Sequence, residues 1–157
     1  MISGGSIRGE VYGAYTEGDG AVTNNSVTIS GSAAEVDREV FGAYTEGSGA
    51  VTNNKVIISG SMTEMNRNPV TGAISLGSGT VAYNSVKATG GNIYSIFGGG
   101  SAEGIAEYNS VTVEGDTIIE DRVAGGMAMK GVARHNSVTI SGTAEIKGEV
   151  FGGTVDG

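Results

Sequence analysis

The side chains that could carry acid–base chemistry in this chain are carboxylates at repeated positions. Glu17 and Glu46 occupy the same local sequence, TEGxGAVTNN, in which Asp19 of the first copy is replaced by Ser48 in the second. A hydrolase or lyase needs one unique constellation of carboxylates, Lys or Arg converging on a groove. A repeated carboxylate instead indicates a solvated turn, because charge patterns usually mark exposed faces.

A second charged group is less repetitive and leaves an enzymatic alternative open. Its members depart from the earlier copies and fall in register with one another: Glu103, Glu107, Lys130 and Arg134. Acids and bases lining one groove would suit a carbohydrate-active enzyme, either a polysaccharide lyase or a glycoside hydrolase. The non-catalytic interpretation is favoured, so the sequence predicts no catalytic residue and no enzyme activity.

No pattern in the sequence predicts a metal or a cofactor. The chain has no Cys, which excludes thiolate ligands and nucleophiles. The single His is His135, and its equivalents in the other copies are Asn24, Asn53, Tyr83 and Tyr108. We interpret this set as an exposed column, not as a base or a metal ligand. The fragment GDGAV resembles part of a calcium-binding nonapeptide, but the next copy, GSGAV, lacks the Asp.

These positions recur because the whole chain is repetitive. The segment VYGAYTEGDGAVTNNSVTISG from Val11 returns as VFGAYTEGSGAVTNNKVIISG from Val40. Weaker copies start at Val70, Ile96, Val123 and Val150, so the spacings are 29, 30, 26, 27 and 27 residues. A period of this size is typical of a solenoid. Gly makes up 29 of the 157 residues, which disfavours helices because Gly costs about 1 kcal/mol at a helix-interior position.

Each copy contains short strands. In the run SVTIS, Val27 and Ile29 point to one side and Thr28 to the other, which is the period of a half-buried strand. The segment that opens each copy and a run such as AAEVD are read as two further strands. We therefore predict an all-β fold, a parallel β-helix (β-solenoid) of right-handed sense, with about five coils of 26–30 residues and three short strands each. Residues 1–157 are expected to form one domain, a fragment of a longer repeat array.

One Asn is invariant in the five full copies: Asn25, Asn54, Asn84, Asn109 and Asn136. In a parallel stack each of these residues lies above its copy, so its amide can donate to the next one and form a structural ladder. An antiparallel meander would leave this recurrence unexplained. Asn also tolerates the left-handed backbone of a sharp corner, and we assign that role to these residues and to the invariant Gly residues that flank them.

An aromatic column follows the opening Val column. Its members are Tyr12, Phe41, Thr71, Phe97, Ala124 and Phe151. Neighbouring strand positions face opposite sides, so only one of the two columns lies in the core. Burial preference favours Val inward and the aromatic rings outward; the reverse would stack the rings in the core. With the rings outward, the predicted binding residues are Tyr12, Tyr15, Phe41, Tyr44 and Phe97.

The fourth and fifth copies are shorter than the first three before the Asn. The interval from the opening residue to the Asn is 13 positions in these two copies (96 to 109, 123 to 136) and 14 in the others. A one-residue change would reverse the facing of a strand unless a turn absorbs it. We therefore expect the turn to shorten, leaving a ridge over the first three copies that carries Tyr15, Tyr44, Glu17 and Glu46.

The pattern V-[YF]-G-[AG]…G-A-x-x-N-x-V-x-I-S-G resembles the Gly-rich repeats in the passenger regions of bacterial autotransporter adhesins, over about residues 7–157. The resemblance implies a secreted β-helix on the bacterial cell surface, anchored in the outer membrane through a region not present in this sequence. It implies a rigid stalk for attachment to a host-cell surface protein or glycan.

The charge of the chain sets limits on its partners. The net charge of −8 disfavours nucleic acid and anionic membranes, and no apolar run is long enough for a membrane span. End-to-end self-association into a fibre is a further alternative, because the ends of a β-helix expose unpaired strand edges.

Overall fold

The chain folds into parallel β-strands stacked as a β-solenoid of about five turns, and the predicted fold class is confirmed. The structure, a computed structural model, describes residues 1–31, 34–60, 64–65 and 67–156. The part of the chain it describes contains no helix of the length and hydrophobicity needed to cross a bilayer.

The strands follow the copies of the repeat. Before the first full copy lies β1 (Gly5–Ile7). The first coil contains β2 (Val11–Tyr12), β3 (Tyr15–Thr16), β4 (Val22–Thr23), β5 (Ser26–Ser30) and β6 (Ala34–Val36). The second contains β7 (Val40–Phe41), β8 (Tyr44–Thr45), β9 (Val51–Thr52), β10 (Lys55–Ser59) and β11 (Glu64–Met65). The third contains β12 (Pro69–Thr71), β13 (Ile74–Ser75), β14 (Val81–Ala82) and β15 (Ser85–Ile93).

The later coils merge some of these strands. The fourth contains β16 (Ser95–Phe97), β17 (Gly100–Ser101), β18 (Ile105–Glu107) and β19 (Ser110–Ile119). The fifth contains β20 (Val123–Ala128), β21 (Val132–Arg134), β22 (Ser137–Ile140) and β23 (Glu145–Ile146), and the next copy opens with β24 (Val150–Val155).

The strands form three parallel sheets, but these do not correspond one to one to the three predicted strands: the third predicted run joins the alternating run in one sheet, and a further sheet consists of short strands that were not predicted. Sheet 1 holds the strands that open each copy, sheet 2 the short strands β4, β9, β14, β18 and β21, and sheet 3 the alternating runs with the strands after them. In the first two coils, sheets 1 and 3 each receive two short strands from one coil, so a coil has five strands where three were predicted. Sheet 1 is interrupted at Gly13 and Gly42.

Register follows the repeat directly. Val40 pairs with Val11 and Val70, and Val56 pairs with Val27 and Val86. Equivalent side chains therefore stack about 4.8 Å apart along the solenoid.

The Val column lies in the core, as burial preference predicted. Val40, Val70, Ile96 and Val123 are completely buried and pack against the inward residues of sheet 3. A second, smaller core lies between sheets 1 and 2 and consists of Val22, Ala43, Val51, Ala73 and Val81. Burial of a Val or Ile side chain contributes about 1.5–3 kcal/mol, so the coil stack is stabilised mainly by these two cores.

The shortening of the fourth and fifth copies falls in a turn, as predicted. Ser75 pairs with Ser101, and Val81 pairs with Ala106, so the connection from sheet 1 to sheet 2 loses one residue between the third and fourth coils. The alternating strands keep their facing, since Val86 still pairs with Val111.

The assignment of the left-handed corner to the invariant Asn was wrong. The positive φ belongs to the residue before each of them: Asn24, Asn53, Tyr83, Tyr108 and His135 have φ between 52° and 61°. This residue turns the chain from sheet 2 to sheet 3, and the turn is what aims the next side chain, the invariant Asn, into the interior. The same assignment was wrong for the invariant Gly before each Asn, which has no positive φ in any copy. The Gly after the Asn has a positive φ in four copies, and in the third copy the positive φ lies at Gly91 and not at Gly90.

Candidate attachment surface

Four aromatic rings form one cluster on the outside of sheet 1. In the first coil Val11 and Ala14 point toward the core, whereas Tyr12 and Tyr15 point outward on the two sides of Gly13. The second coil repeats this arrangement with Phe41 and Tyr44. We call Tyr12, Tyr15, Phe41 and Tyr44 the aromatic cluster.

The rings of the aromatic cluster contact one another in two directions. Along the solenoid they stack: the centroids of Tyr12 and Phe41 are 5.3 Å apart, and those of Tyr15 and Tyr44 are 5.5 Å apart, each pair with an interplanar angle of 13°. Within a coil they meet edge to face, with 5.4 Å between Tyr12 and Tyr15 and 5.3 Å between Phe41 and Tyr44. Such ring pairs are worth about 0.5–1.5 kcal/mol beyond their burial, so they hold the cluster in one arrangement.

The aromatic cluster remains accessible to a partner. Tyr12 is 39% exposed and Tyr15 is 47% exposed, whereas Phe41, covered by its neighbours, is only 9% exposed. The cluster thus has a buried base and an open outer part.

Phe97, the fifth predicted binding residue, lies apart from the other four. Thr71 separates it from Phe41 in the column, and Phe97 makes no ring contact with the cluster among the described residues. The same column continues through the buried Ala124, so the aromatic cluster is confined to the first two coils.

Burial and neighbouring carboxylates raise the pKa values of the phenols in the aromatic cluster. The Tyr15 hydroxyl donates to Glu46 Oε1 at 2.9 Å, and this hydrogen bond, with burial and the charges of Glu46 and Glu17, raises the pKa of Tyr15 to about 12. Burial, followed by the charges of nearby acids that include Glu10 and Glu39, raises the pKa of Tyr12. Burial and Glu46 raise the pKa of Tyr44. The surface is therefore both aromatic and negatively charged.

The charged group considered for catalysis forms ion pairs between neighbouring coils. Arg134 Nε lies 2.7 Å from Glu107 Oε2, and Lys130 Nζ lies 3.6 Å from Glu103 Oε1. Each acid of this group thus faces a base one repeat further along the chain. Exposed pairs of this kind contribute at most about 1 kcal/mol each.

His135 lies in an exposed stack of flat side chains. The ring centroids of Tyr83 and Tyr108 are 5.1 Å apart, and those of Tyr108 and His135 are 5.0 Å apart, with interplanar angles of 3° and 10°. We call these three residues the corner stack. The sequence placed them in one column, but their mutual stacking depends on the left-handed corner and was not predicted.

Behind these surfaces, the Asn column forms a continuous hydrogen-bonded ladder at the corner between sheets 2 and 3. Each Nδ2 donates to the Oδ1 of the next Asn at 2.9–3.1 Å, from Asn25 through Asn54, Asn84 and Asn109 to Asn136. Each Oδ1 also accepts the backbone N–H of the preceding Asn at 2.9–3.0 Å. The three middle residues are buried. All their amide atoms are engaged, so this Asn column has a structural role.

No group of three His, Cys, Asp or Glu side chains in the described part of the chain is arranged to hold a metal ion. No family model matches the sequence, and neither the curated proteins nor the solved structures include a significant match.

Proposed function

We propose that this chain is a non-catalytic, rigid β-solenoid stalk of a bacterial surface or secreted protein, and that the aromatic cluster is its attachment surface for a host-cell surface protein or glycan. The observation that carries the proposal is the position of the four rings. They stand outside the core, on consecutive coils, in one connected and partly exposed group.

The core does not need the aromatic cluster. The interior is filled by the Val column, by the inward residues of sheet 3 and by the small core beside sheet 2. Exposed aromatic groups cost solubility, and contiguous ones mark interaction sites more often than they serve folding. Tyr is moreover enriched at protein interfaces, where one ring offers both apolar area and a hydroxyl group.

The backbone supports the role of a stalk. Parallel pairing in three sheets and the buried Asn ladder tie each coil to the next along the whole described length. A solenoid of this kind grows by about 4.8 Å per coil and holds side chains on its surface at fixed spacing. The resemblance of the repeats to autotransporter passenger regions supports the location on the cell surface.

The ion pairs favour a non-catalytic role for Glu103 and Glu107. Each carboxylate faces a basic side chain of the next coil, which accounts for their departure from the earlier copies without a substrate. Incubation of the protein with a panel of polysaccharides, followed by assays for reducing ends and unsaturated uronates, should detect no turnover. Turnover that is lost in Glu103→Gln or Glu107→Gln would overturn this part of the proposal.

Attachment of the purified protein to host cells tests the surface itself. The variants Phe41→Ala and Tyr44→Ala should bind cells several-fold less than the unchanged protein, with the same circular dichroism spectrum. Tyr83→Ala and Tyr108→Ala are the controls, since they remove stacked rings of the corner stack, which lies on another exposed surface. Full attachment by both cluster variants in a folded state would remove the aromatic cluster from consideration.

A further inference from the structure

The side chain of Arg122 contacts an aromatic ring and carboxylates of the same chain, which are the side-chain types found in the attachment surface. The Arg122 guanidinium lies over the Phe151 ring, with Cζ 5.7 Å from the centroid. Its Nη1 is 3.4 Å from Asp156 Oδ2, and its Nη2 is 3.8 Å from Glu149 Oε2. One aromatic ring and two carboxylates therefore contact the same guanidinium group.

The same three side-chain types recur in register in the first two coils. In the set Glu149, Phe151 and Asp156, the aromatic residue comes two positions after the first acid, and the second acid comes seven positions after the first. Glu39, Phe41 and Glu46 have this spacing, and so do Glu10, Tyr12 and Glu17. The backbone pairing places Phe41 next to Tyr12 and Glu46 next to Glu17, so the two sets lie side by side.

In these two sets the chain supplies no arginine of its own. Arg122 lies one coil before Glu149, and the residue one coil before Glu39 is Glu10, as the backbone hydrogen bonds of Val123 to Glu149 and of Val11 to Glu39 show. The nearest bases in sequence are Arg8 and Arg38, and neither forms an ion pair with these carboxylates among the described residues.

We propose that the aromatic cluster, with its rim of Glu10, Glu17, Glu39 and Glu46, binds the guanidinium groups of an arginine-containing segment of a partner protein. This inference rests on the proposed function and names the chemistry of the partner. Tyr12 offers the accessible ring, because it covers Phe41 and is itself 39% exposed.

Guanidinium fits this surface better than a sugar or an acidic glycan does. It is planar and weakly hydrated, it stacks on aromatic faces, and its fork of N–H groups matches carboxylates. An acidic glycan would be repelled by the four carboxylates. A neutral sugar can stack on the rings and donate its hydroxyl groups to the carboxylates, but it brings no positive charge to offset theirs.

The test uses a fluorescein-labelled peptide, Ser-Gly-Arg-Gly-Arg-Gly, and its citrulline counterpart, in which each guanidinium is replaced by a neutral group of the same shape. Fluorescence anisotropy at physiological salt should show binding of the arginine peptide and at least tenfold weaker binding of the citrulline peptide. The variants Tyr12→Leu and Glu17→Gln should each weaken binding about three- to tenfold. The controls Tyr83→Leu and Glu35→Gln remove an exposed ring and an exposed charge elsewhere and should stay within twofold of the unchanged protein.

Equal binding of both peptides, no binding, or equal losses in the controls would overturn the guanidinium proposal. Cell attachment, measured on the same variants, separates the two proposals. If the cluster variants lose cell attachment while the arginine peptide does not bind, the attachment surface stands and its guanidinium chemistry is wrong. If the peptide binds with the stated selectivity while the cluster variants attach normally, the guanidinium site stands and the proposed function is wrong.

Discussion

At the residue scale, the buried Asn ladder is the feature on which the backbone depends most. Asn84 is completely buried; its Oδ1 accepts two N–H groups of Asn54, and its Nδ2 donates to the backbone oxygens of Val51 and Ala82 as well as to Asn109. A side chain with this many partners cannot be removed without leaving buried donors and acceptors unpaired.

We therefore expect Asn84→Ala to lower the free energy of unfolding by about 1–3 kcal/mol, the cost of leaving buried polar partners unsatisfied. Chemical denaturation measures this change. Asn92→Ala, which truncates an exposed Asn in β15, the strand that follows Asn84, should stay within about 0.5 kcal/mol. A loss below a few tenths of a kcal/mol for Asn84→Ala would mean that the ladder is dispensable.

Tyr15 reports on the charge of the attachment surface. Its pKa of about 12 lies above the ordinary value of 10.0, chiefly because its hydroxyl donates to Glu46. Titration followed by the tyrosinate absorbance or by NMR of the ring should show one phenol near 12, and Glu46→Gln should bring it back toward 10.0. Since the folded-state pKa is raised, the contribution of this phenol to stability is complete below pH 10 and is lost as the pH rises through 12. A Tyr15 that titrates at the ordinary value in the unchanged protein would contradict this geometry.

At the element scale, the turn before sheet 2 contains Gly because the backbones of neighbouring coils lie close together there, and not because the turn needs a positive φ. A Cβ on Gly49 would overlap the carbonyl oxygen of Gly20 and lie 2.6 Å from that of Asp19, in the coil before it. Gly20 has the same position in the repeat, but a Cβ there would meet nothing within 4 Å. Neither residue has a positive φ, so Ala is compatible with the backbone of both.

Gly49→Ala should therefore lower the free energy of unfolding by about 1–3 kcal/mol, as overpacking does, while Gly20→Ala should leave it nearly unchanged. Thermal or chemical denaturation of the two variants gives the comparison. Equal effects of the two substitutions would show that the coils do not approach one another as closely as the structure places them.

The register of the fold could be predicted from the sequence because the repeat itself carries it, whereas the short strands of sheet 2 were not predicted. Copies of one segment place Val40 beside Val11 and Asn54 beside Asn25, so the pairing needs no further information. Which residue takes the left-handed corner was predicted wrongly, since Asn stands at two adjacent positions in the first copies, and Tyr83 and Tyr108 are unusual occupants of that backbone conformation.

The attachment surface was less predictable than the fold. An outward aromatic column follows from alternation, but the contact between Tyr12 and Tyr15 depends on the break in sheet 1 at Gly13, which alternation does not show. The separation of Phe97 follows from the small Thr71 beside it. The contact of Arg122 with the Phe151 ring requires the arginine side chain to extend to the next coil, and the sequence shows only how far apart the two residues are along the chain.

At the scale of the whole molecule, the solenoid separates two groups of stacked rings that both include exposed Tyr residues. The aromatic cluster lies on sheet 1 of the first two coils, and the corner stack lies where sheet 2 meets sheet 3 in the third to fifth coils. Tyr12 and Tyr15 are 39% and 47% exposed, and Tyr83 and Tyr108 are 58% and 45% exposed. If the stalk has one attachment surface, its partner should contact the aromatic cluster and not the corner stack, although both are exposed to solvent.

Hydroxyl-radical footprinting of the protein, free and attached to host cells, tests this claim most directly, because mass spectrometry reads the oxidation of each Tyr in one experiment. Attachment should protect Tyr12 and Tyr15 several-fold while Tyr83 and Tyr108 react as in the free protein. Protection of Tyr83 and Tyr108 with continued oxidation of Tyr12 and Tyr15 would contradict the account, and so would a folded protein that does not attach at all.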